Sequence, residues 1–328
     1  MLNVGIIITD RCQASSVFTV VDMLIAANFA ATQRLAESEP PFDSRLLGLQ
    51  TKATSYNGCA LMPLEPLANI QRPDILILPG AFEAVLEKDH ADKILSRLDE
   101  LYPHLREWHA AGTVIACVCT GSFLVARAGL SAGRTLTCHW ASSKTANCLF
   151  PKETFIPEKM LIDHGDLVSA GGALSVSQLV LYLIQRFHGR ELALATAKLM
   201  LVEPSYESQS RFAIFSPSKT HGDTLVAALQ SQIELELHLT IDFHSFAAAN
   251  GMTVRHLNRR FKKATGETPL SYQQRIRIEK VKTGLEMTKK RLNTLVWDVG
   301  YEDLTSFRRL FKRYTGLTMQ EYRSRFAI

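Results

Sequence analysis

A cysteine standing where a β-rich run turns directly into a helical one is placed to act as a nucleophile. Residues 114–122 read VIACVCTGS, strand-like up to Cys119 and helical from Ser122, so Cys119 occupies such a sharp turn. The free N–H groups and positive dipole end of the following helix favour a thiolate there. Residues 138–140 read CHW, and His139 is the kind of group that activates a thiol. The plain alternative is a Cys119 that fills space as a small apolar residue. Trp140 is open to two roles, a pocket wall able to stack on a cation or ordinary core. Cys117, Cys119 and Cys138 could also gather as a redox-sensing group. Residues two apart on a strand share a face, but the chain bends at Cys119, so whether Cys117 and Cys119 meet stays open.

A second constellation lies near the other end of the chain. LNRRFKKATG at 257–266 overlies FRRLFKRYTG at 307–316, an internal repeat at an offset of 50 residues. In each copy a helix is expected to end at a glycine, Gly251 or Gly300, after which Thr253 or Asp303 caps a basic amphipathic helix. Helix, glycine turn and capped basic helix make a helix-turn-helix. In the first copy Val254, Leu257, Phe261 and Ala264 share one face, which turns Arg255, His256, Asn258, Arg259 and Lys262 outward. In the second, Leu304, Phe307, Leu310 and Phe311 are expected inside, with Thr305, Ser306, Arg308, Arg309 and Lys312 outside. Arginine suits guanine, asparagine suits adenine and lysine suits phosphate, so these faces fit double-stranded DNA. A solvated basic face would explain one such helix; two with matching outward chemistry favour DNA.

Pattern and composition indicate the elements that hold these groups. The chain has 328 residues, 46% apolar and 21% charged, the balance of a globular protein with two domains. Short β-rich runs at 3–9, 44–48, 75–78, 114–119 and 167–169 alternate with helical runs at 17–35, 91–111, 122–129 and 175–188. That alternation predicts an α/β domain on a parallel sheet. LPGA at 78–81 and CTGS at 119–122 end two of the strands, where such sheets hold ligands. A polar Pro/Ser stretch follows, giving predicted boundaries of 1–205 for the α/β domain, 206–222 for a linker and 223–328 for an all-α domain.

Charge divides the same way. Residues 229–328 carry 18 Lys and Arg against 10 Asp and Glu, whereas residues 1–228 carry 19 against 22. A basic module on a mildly acidic one predicts a polyanionic partner for the tail. Six cysteines without metal-ligand spacing predict a reducing compartment, the cytoplasm, with no metal and no cofactor. No run reads as a targeting or membrane segment, since uncharged stretches such as 113–126 fall short of the roughly 20 apolar residues a bilayer span needs.

Both constellations resemble known families. Residues 247–266 and 294–323, including VGYEDLTSFRRLFKRYTG at 299–316, resemble the two helix-turn-helix halves of the AraC/XylS family, with Tyr301 where Phe is usual and Met319 where Pro is usual. This implies two recognition helices joined by a long helix over about 270–287 and entering successive major grooves roughly 34 Å apart. CTGSFLVARAGLSAGRTLTCHW at 119–140, with LPG at 78–80 and SAGG at 169–172, resembles the PfpI-type, class I glutamine amidotransferase-like superfamily. Joined, the two halves look like the GlxA-type regulators. The implied fold is a flavodoxin-like parallel sheet sandwich followed by an all-α double helix-turn-helix domain.

By that resemblance Cys119 takes the nucleophile position, His139 the histidine position, and Gly80 with Thr120 the oxyanion-hole amides. Catalytic relatives carry a glutamate early in the first helix, yet residues 1–36 contain none, and Ser16 is placed there. A serine cannot serve as a carboxylate base, a loss commonly of about 10²-fold or more. Ala81, Gln178 and Cys138 depart from the usual residues as well. The pocket, with Trp140 at its edge, is therefore expected to bind a small molecule without turning it over, and no residue is assigned a catalytic role. These features describe a cytoplasmic, sequence-specific transcriptional regulator, taken as an activator. Its α/β domain would sense a small, nitrogenous effector and form a homodimer, while its tail would bind promoter DNA, with RNA polymerase as a further partner. The alternative is a cysteine-dependent amidase or peptidase-like enzyme with an accessory DNA-binding tail.

Overall fold

The β-rich runs pair into one sheet. In the computed structural model, which describes residues 1–35, 38–62, 64–81, 88–204, 208–217, 219 and 221–327, the chain divides into Met1–Gln209 and Ser210–Ile328. Residues 205–207, 218 and 220 of the polar stretch lie outside the described residues. In the first unit β1 (Leu2–Ile7) leads to α1 (Ala14–Arg34) and β2 (Phe42–Gly48). A hairpin of β3 (Ala53–Thr54) and β4 (Ala60–Leu61), the short β5 (Glu65–Pro66) and β6 (Ile75–Leu78) follow. Next come α2 (Lys88–Ser96), α3 (Leu101–Ala110), β7 (Val114–Val118) and α4 (Gly121–Arg127). The unit continues through β8 (Thr135–Leu136), α5 (Ser143–Leu149), β9 (Thr154–Phe155), β10 (Leu161–Asp163), β11 (Leu167–Ala170) and α6 (Val176–Leu199).

The main sheet runs β10-β11-β7-β6-β1-β2-β5, parallel except where β10 pairs with β11. Its central strands are covered on both faces, which is why they read as continuous apolar runs. In β6, Ile75 and Ile77 pack toward α1 and α6 while Leu76 and Leu78 pack toward α3 and α4. Strand β1 has β6 on one side and β2 on the other, so the order reverses there. Crevices at such a reversal open at the carboxyl ends of the strands, where Gly80 and Cys119 fall.

Two helices differ from expectation for local reasons. The run 91–111 is divided into α2 and α3. Pro103 lacks an N–H to donate four residues back and its ring crowds that carbonyl, so it suits the first turn of α3 and not the middle of a longer helix. The run ending at 188 continues to Leu199, but through Gly189 at φ 87°, ψ 168°, so α6 is two helical segments meeting at a break. Helix α1 is long and apolar enough to cross a bilayer by length and composition, although Asp22 interrupts its uncharged run. Its apolarity has a local use: Val17, Val20, Met23, Leu24, Ala27 and Ala31 recur at helical spacing and are buried, and α1 packs on α6.

The second unit is helical: α7 (Thr224–Leu235), α8 (Phe243–Ala249), α9 (Val254–Thr265), α10 (Pro269–Met287), α11 (Leu292–Trp297), α12 (Leu304–Thr315) and α13 (Met319–Phe326). It has two small cores. One gathers Val226, Leu229, Ala247, Leu257, Phe261 and Tyr272. The other gathers Ile278, Val281, Leu285, Leu295, Phe307, Phe311 and Tyr322. Helix α10 contributes to both and is the long helix expected between the repeats.

Candidate functional site

The α/β unit turns sharply at Cys119, whose φ of 59° lies in the left-handed region that non-glycine residues seldom adopt. Its N–H donates to the carbonyls of Ala170 (3.0 Å) and Gly171 (2.7 Å) at the end of β11. Gly121 leaves no room for a side chain, since a Cβ would stand 2.1 Å from the Leu78 carbonyl oxygen. Gly80 is also tightly packed, with a Cβ there 2.8 Å from Cys119 Cβ and 3.0 Å from the Thr120 nitrogen. Thr120 Oγ1 accepts from the Ala81 N–H at 2.9 Å and donates to the Ala81 carbonyl at 3.0 Å, which ties the elbow to the end of β6. The Gln13 N–H donates to the Gly80 carbonyl at 3.1 Å, so α1 starts against the same loop, with Ser16 buried in its first turn.

The protonation expected of this elbow is not the one found. The Cys119 thiol is buried, and desolvation pushes its pKa up to about 11 although hydrogen bonds with Thr120 pull the other way. The helix-dipole argument for a thiolate is thus outweighed by burial. Burial also lowers the pKa of His139. His139 Nδ1 accepts from the Ala141 N–H at 3.0 Å, which puts the proton of the neutral ring on Nε2. Among the described residues no hydrogen bond joins Cys119 to His139. Cys117 and Cys119 do not share a face: β7 ends at Val118, Cys117 packs toward α3 and α4, and Cys119 lies in the core beneath α1 and α6. Iodoacetamide near neutral pH is expected to label exposed Cys59 and Cys148 and to spare Cys119 until the pH approaches about 11. Peptide mass spectrometry showing Cys119 labelled first near neutrality contradicts this. Since the folded pKa exceeds that of the unfolded thiol, burial of Cys119 favours folding below the ordinary thiol pKa, and that contribution is lost as the pH rises through about 11.

One residue here has no signature in the sequence. Gln209 falls in the stretch read as linker, yet it is 2% exposed and its side chain bonds within the first unit. Its partners are Thr137, Cys138, Trp140, Lys159 and Gly172, between 37 and 72 residues away, so no local pattern could announce them. Trp140 is half-buried, its ring centroid 5.4 Å from that of His139 and inclined by 36°. A cavity of about 120 Å³ lies elsewhere, at the ends of β1 and β2, with Asp10, Arg11, Lys52 and Arg97 among its lining residues. A smaller one of about 10 Å³ borders Pro79, Ala81 and Thr120. Cys119, His139 and Trp140 line neither.

In the helical unit the repeat extends to individual bonds. Thr253 Oγ1 accepts from the His256 N–H, and Asp303 Oδ1 from the Thr305 and Ser306 N–H groups, capping α9 and α12. Both helices end at a left-handed glycine, Gly266 and Gly316. Thr265 Oγ1 donates to the Phe261 carbonyl at 2.8 Å and Thr315 Oγ1 to the Phe311 carbonyl at 2.8 Å. Arg255, His256, Arg259 and Lys262 are exposed on α9, as are Thr305, Ser306, Arg308, Arg309 and Lys312 on α12; Asn258 is half-buried. Leu304 and Leu310, expected inside, are half-buried because they sit at the margin of the stripe centred on Phe307 and Phe311. Arg308 donates to Asn293 Oδ1 at 3.0 Å.

Two family models match the chain, one described as the DJ-1/PfpI family over residues 4–186 and one as a helix-turn-helix domain over residues 246–325. Over 215 residues the chain is 27% identical to the HTH-type transcriptional regulator GbdR of Pseudomonas aeruginosa, covering 65% of this chain and 58% of that one, less than two thirds of its length. Over 225 residues it is 24% identical to the HTH-type transcriptional regulator GlxA of Rhizobium meliloti, covering 67% of this chain and 68% of that one. Among solved structures, Drosophila melanogaster DJ-1beta is similar with a TM-score of 0.50 and 17% identity, over 62% of this chain and 98% of that one. A Vibrio parahaemolyticus protein is similar with a TM-score of 0.52 and 21% identity, over 61% of this chain and 98% of that one. These two likenesses bear on the α/β fold alone.

Proposed function

The chain belongs to the DJ-1/PfpI family over residues 4–186, and from that premise we propose that it is a DNA-binding transcriptional regulator whose α/β unit binds a small effector. The observation that carries this reading is the repeat at an offset of 50 residues: two capped basic helices, α9 and α12, with matching exposed faces. Relatives named as HTH-type transcriptional regulators support it. Arg255, His256, Asn258, Arg259 and Lys262, with Thr305, Ser306, Arg308, Arg309 and Lys312, would contact promoter DNA. Ser16, Gly80, Cys119, Thr120, His139 and Trp140 would surround the effector. A homodimer through this unit would bury the stripe of Phe18, Ile25 and Phe29 that α1 leaves exposed. The cytoplasm, a nitrogenous effector, and activation through RNA polymerase rest on composition and on the family resemblance.

A neutral thiol with no histidine partner and no glutamate in the first helix suits binding better than acyl transfer. The test is a thermal-shift panel of amino acids and quaternary amines on the full chain, where a ligand at 100 times its Kd stabilises by about 2.7 kcal/mol. A promoter-reporter assay with the effector so found then separates the readings. Cys119→Ser is expected to keep most of the response, because the thiol contributes shape and one weak hydrogen bond. His139→Ala is expected to lose more, since it removes an imidazole and opens space beside Trp140. An acyl adduct on Cys119, with the response gone in Cys119→Ser, overturns the proposal.

A further inference from the structure

Gln209 is the last residue of the first unit and Ser210 begins the second. Its backbone N–H donates to the Glu158 carbonyl at 3.0 Å, and Ser208 Oγ donates to the same carbonyl at 2.6 Å, so the strap lies along the segment before β10. The side chain turns inward. Oε1 accepts from the N–H groups of Gly172 (3.1 Å) and Trp140 (3.3 Å). Nε2 donates to the carbonyls of Cys138 (2.9 Å) and Lys159 (3.0 Å) and to Thr137 Oγ1 (3.2 Å). Gly171 is needed for this fit, because a Cβ there would stand 2.2 Å from both Cδ and Nε2 of Gln209.

Two N–H groups converge on one oxygen and three acceptors surround one nitrogen, so the cradle is complementary to a primary carboxamide. A carboxylate would set an anionic oxygen against three acceptors. An ammonium or guanidinium would leave the Trp140 and Gly172 N–H groups without an acceptor, at the full cost of a buried unpaired donor. The cradle also adjoins the Cys119 elbow, whose N–H donates to the Gly171 carbonyl at 2.7 Å, and a Cβ on Gly172 would lie 3.0 Å from His139 Cδ2.

We propose that residues 137–140, 159 and 171–172 form a primary-carboxamide subsite that the chain fills with its own Gln209, and that a carboxamide-bearing effector displaces Gln209 and releases the junction between the units. The release step rests on the effector reading above; the subsite does not. The hydrogen bonds exchanged are the same in kind, so a free amide competes on concentration, whereas an unlike ligand does not compete at all.

Propionamide, which reproduces the glutamine side chain, is the probe, with propionate as control, on the full-length chain and on Gln209→Ala and Gln209→Glu. Trypsin cleavage after Arg211 reads the junction, and the midpoint of thermal unfolding reads the subsite. Both variants are expected to be cut about tenfold faster than wild type, corresponding to the loss of one or two net hydrogen bonds. Saturating propionamide is expected to bring wild type to the variants' cleavage rate and to raise the unfolding midpoint of Gln209→Ala, while propionate does neither. The wild-type arm needs no variant to fold. Equal cleavage of wild type and both variants overturns the latch, and propionamide acting no differently from propionate overturns the subsite. Neither readout involves DNA or the natural effector, so failure here and failure of the regulator reading are distinguishable.

Discussion

Replacing Arg259 and Arg309 together by alanine is expected to weaken operator binding by roughly 30-fold to 10⁴-fold while leaving the helical unit folded. The two arginines are exposed on α9 and α12, and among the described residues no carboxylate pairs with either. Neighbouring Arg260 is committed elsewhere, gripping Asp223 through Nε (2.7 Å) and Nη2 (3.0 Å). Loss of a base contact costs about 1–3 kcal/mol, and sites on separate helices add. Loss of a phosphate contact instead lowers the slope of log affinity against log salt by about one for each residue. A gel-shift titration across salt concentrations therefore reports which contact each arginine makes. Circular dichroism should match wild type, because the cores around Phe261 and Phe311 are untouched. Unchanged affinity and unchanged salt slope mean that these faces do not meet DNA. Arg260→Ala is the contrasting control, since it should reduce stability by releasing Asp223, which also caps α7.

Gly121→Ala is expected to cost the α/β unit about 3 kcal/mol or more. The new Cβ would lie 2.1 Å from the Leu78 carbonyl oxygen and 3.3 Å from that of Pro79, both backbone atoms at the end of β6. No rotamer change relieves such a clash, so either α4 moves away from the sheet or the elbow at Cys119 unwinds. Gly129→Ala makes the comparison, since nothing lies within 4 Å of its Cβ and only its φ of +76° is strained, at about 1 kcal/mol. Trp108 and Trp140 both lie in the first unit, so urea unfolding followed by tryptophan fluorescence reads it, with Trp297 as the second unit's reporter. A Gly121→Ala chain whose first-unit midpoint matches wild type contradicts the packing described.

What was legible in the sequence was what repeats or is locally paced. Strands β1, β6, β7 and β11 showed as apolar runs because both of their faces are largely buried, whereas β2 carries Asp43, Ser44 and Arg45 in its first half. The basic helices showed because one set of contacts is made twice. Tyr272 and Tyr322 illustrate how far that duplication goes: 50 residues apart, each hydroxyl donates to a glutamate, Glu234 or Glu286, at 2.6 Å. The edge strands β5 and β10 were not legible, since two or three residues hold no alternation to count. The protonated state of the Cys119 thiol was not legible because the turn and its helix are local, whereas the groups that bury it come from β11 and α1. Gln209 was hidden for the same reason, a polar residue in polar surroundings whose partners are all distant in sequence.

Selection of preferred duplexes from a randomised pool by the full-length chain, followed by hydroxyl-radical footprinting, tests the central claim most directly. The account predicts one preferred site contacted in two successive major grooves, centred roughly 34 Å apart, one for α9 and one for α12. Binding of all sequences with equal affinity, or a footprint confined to one groove, contradicts it.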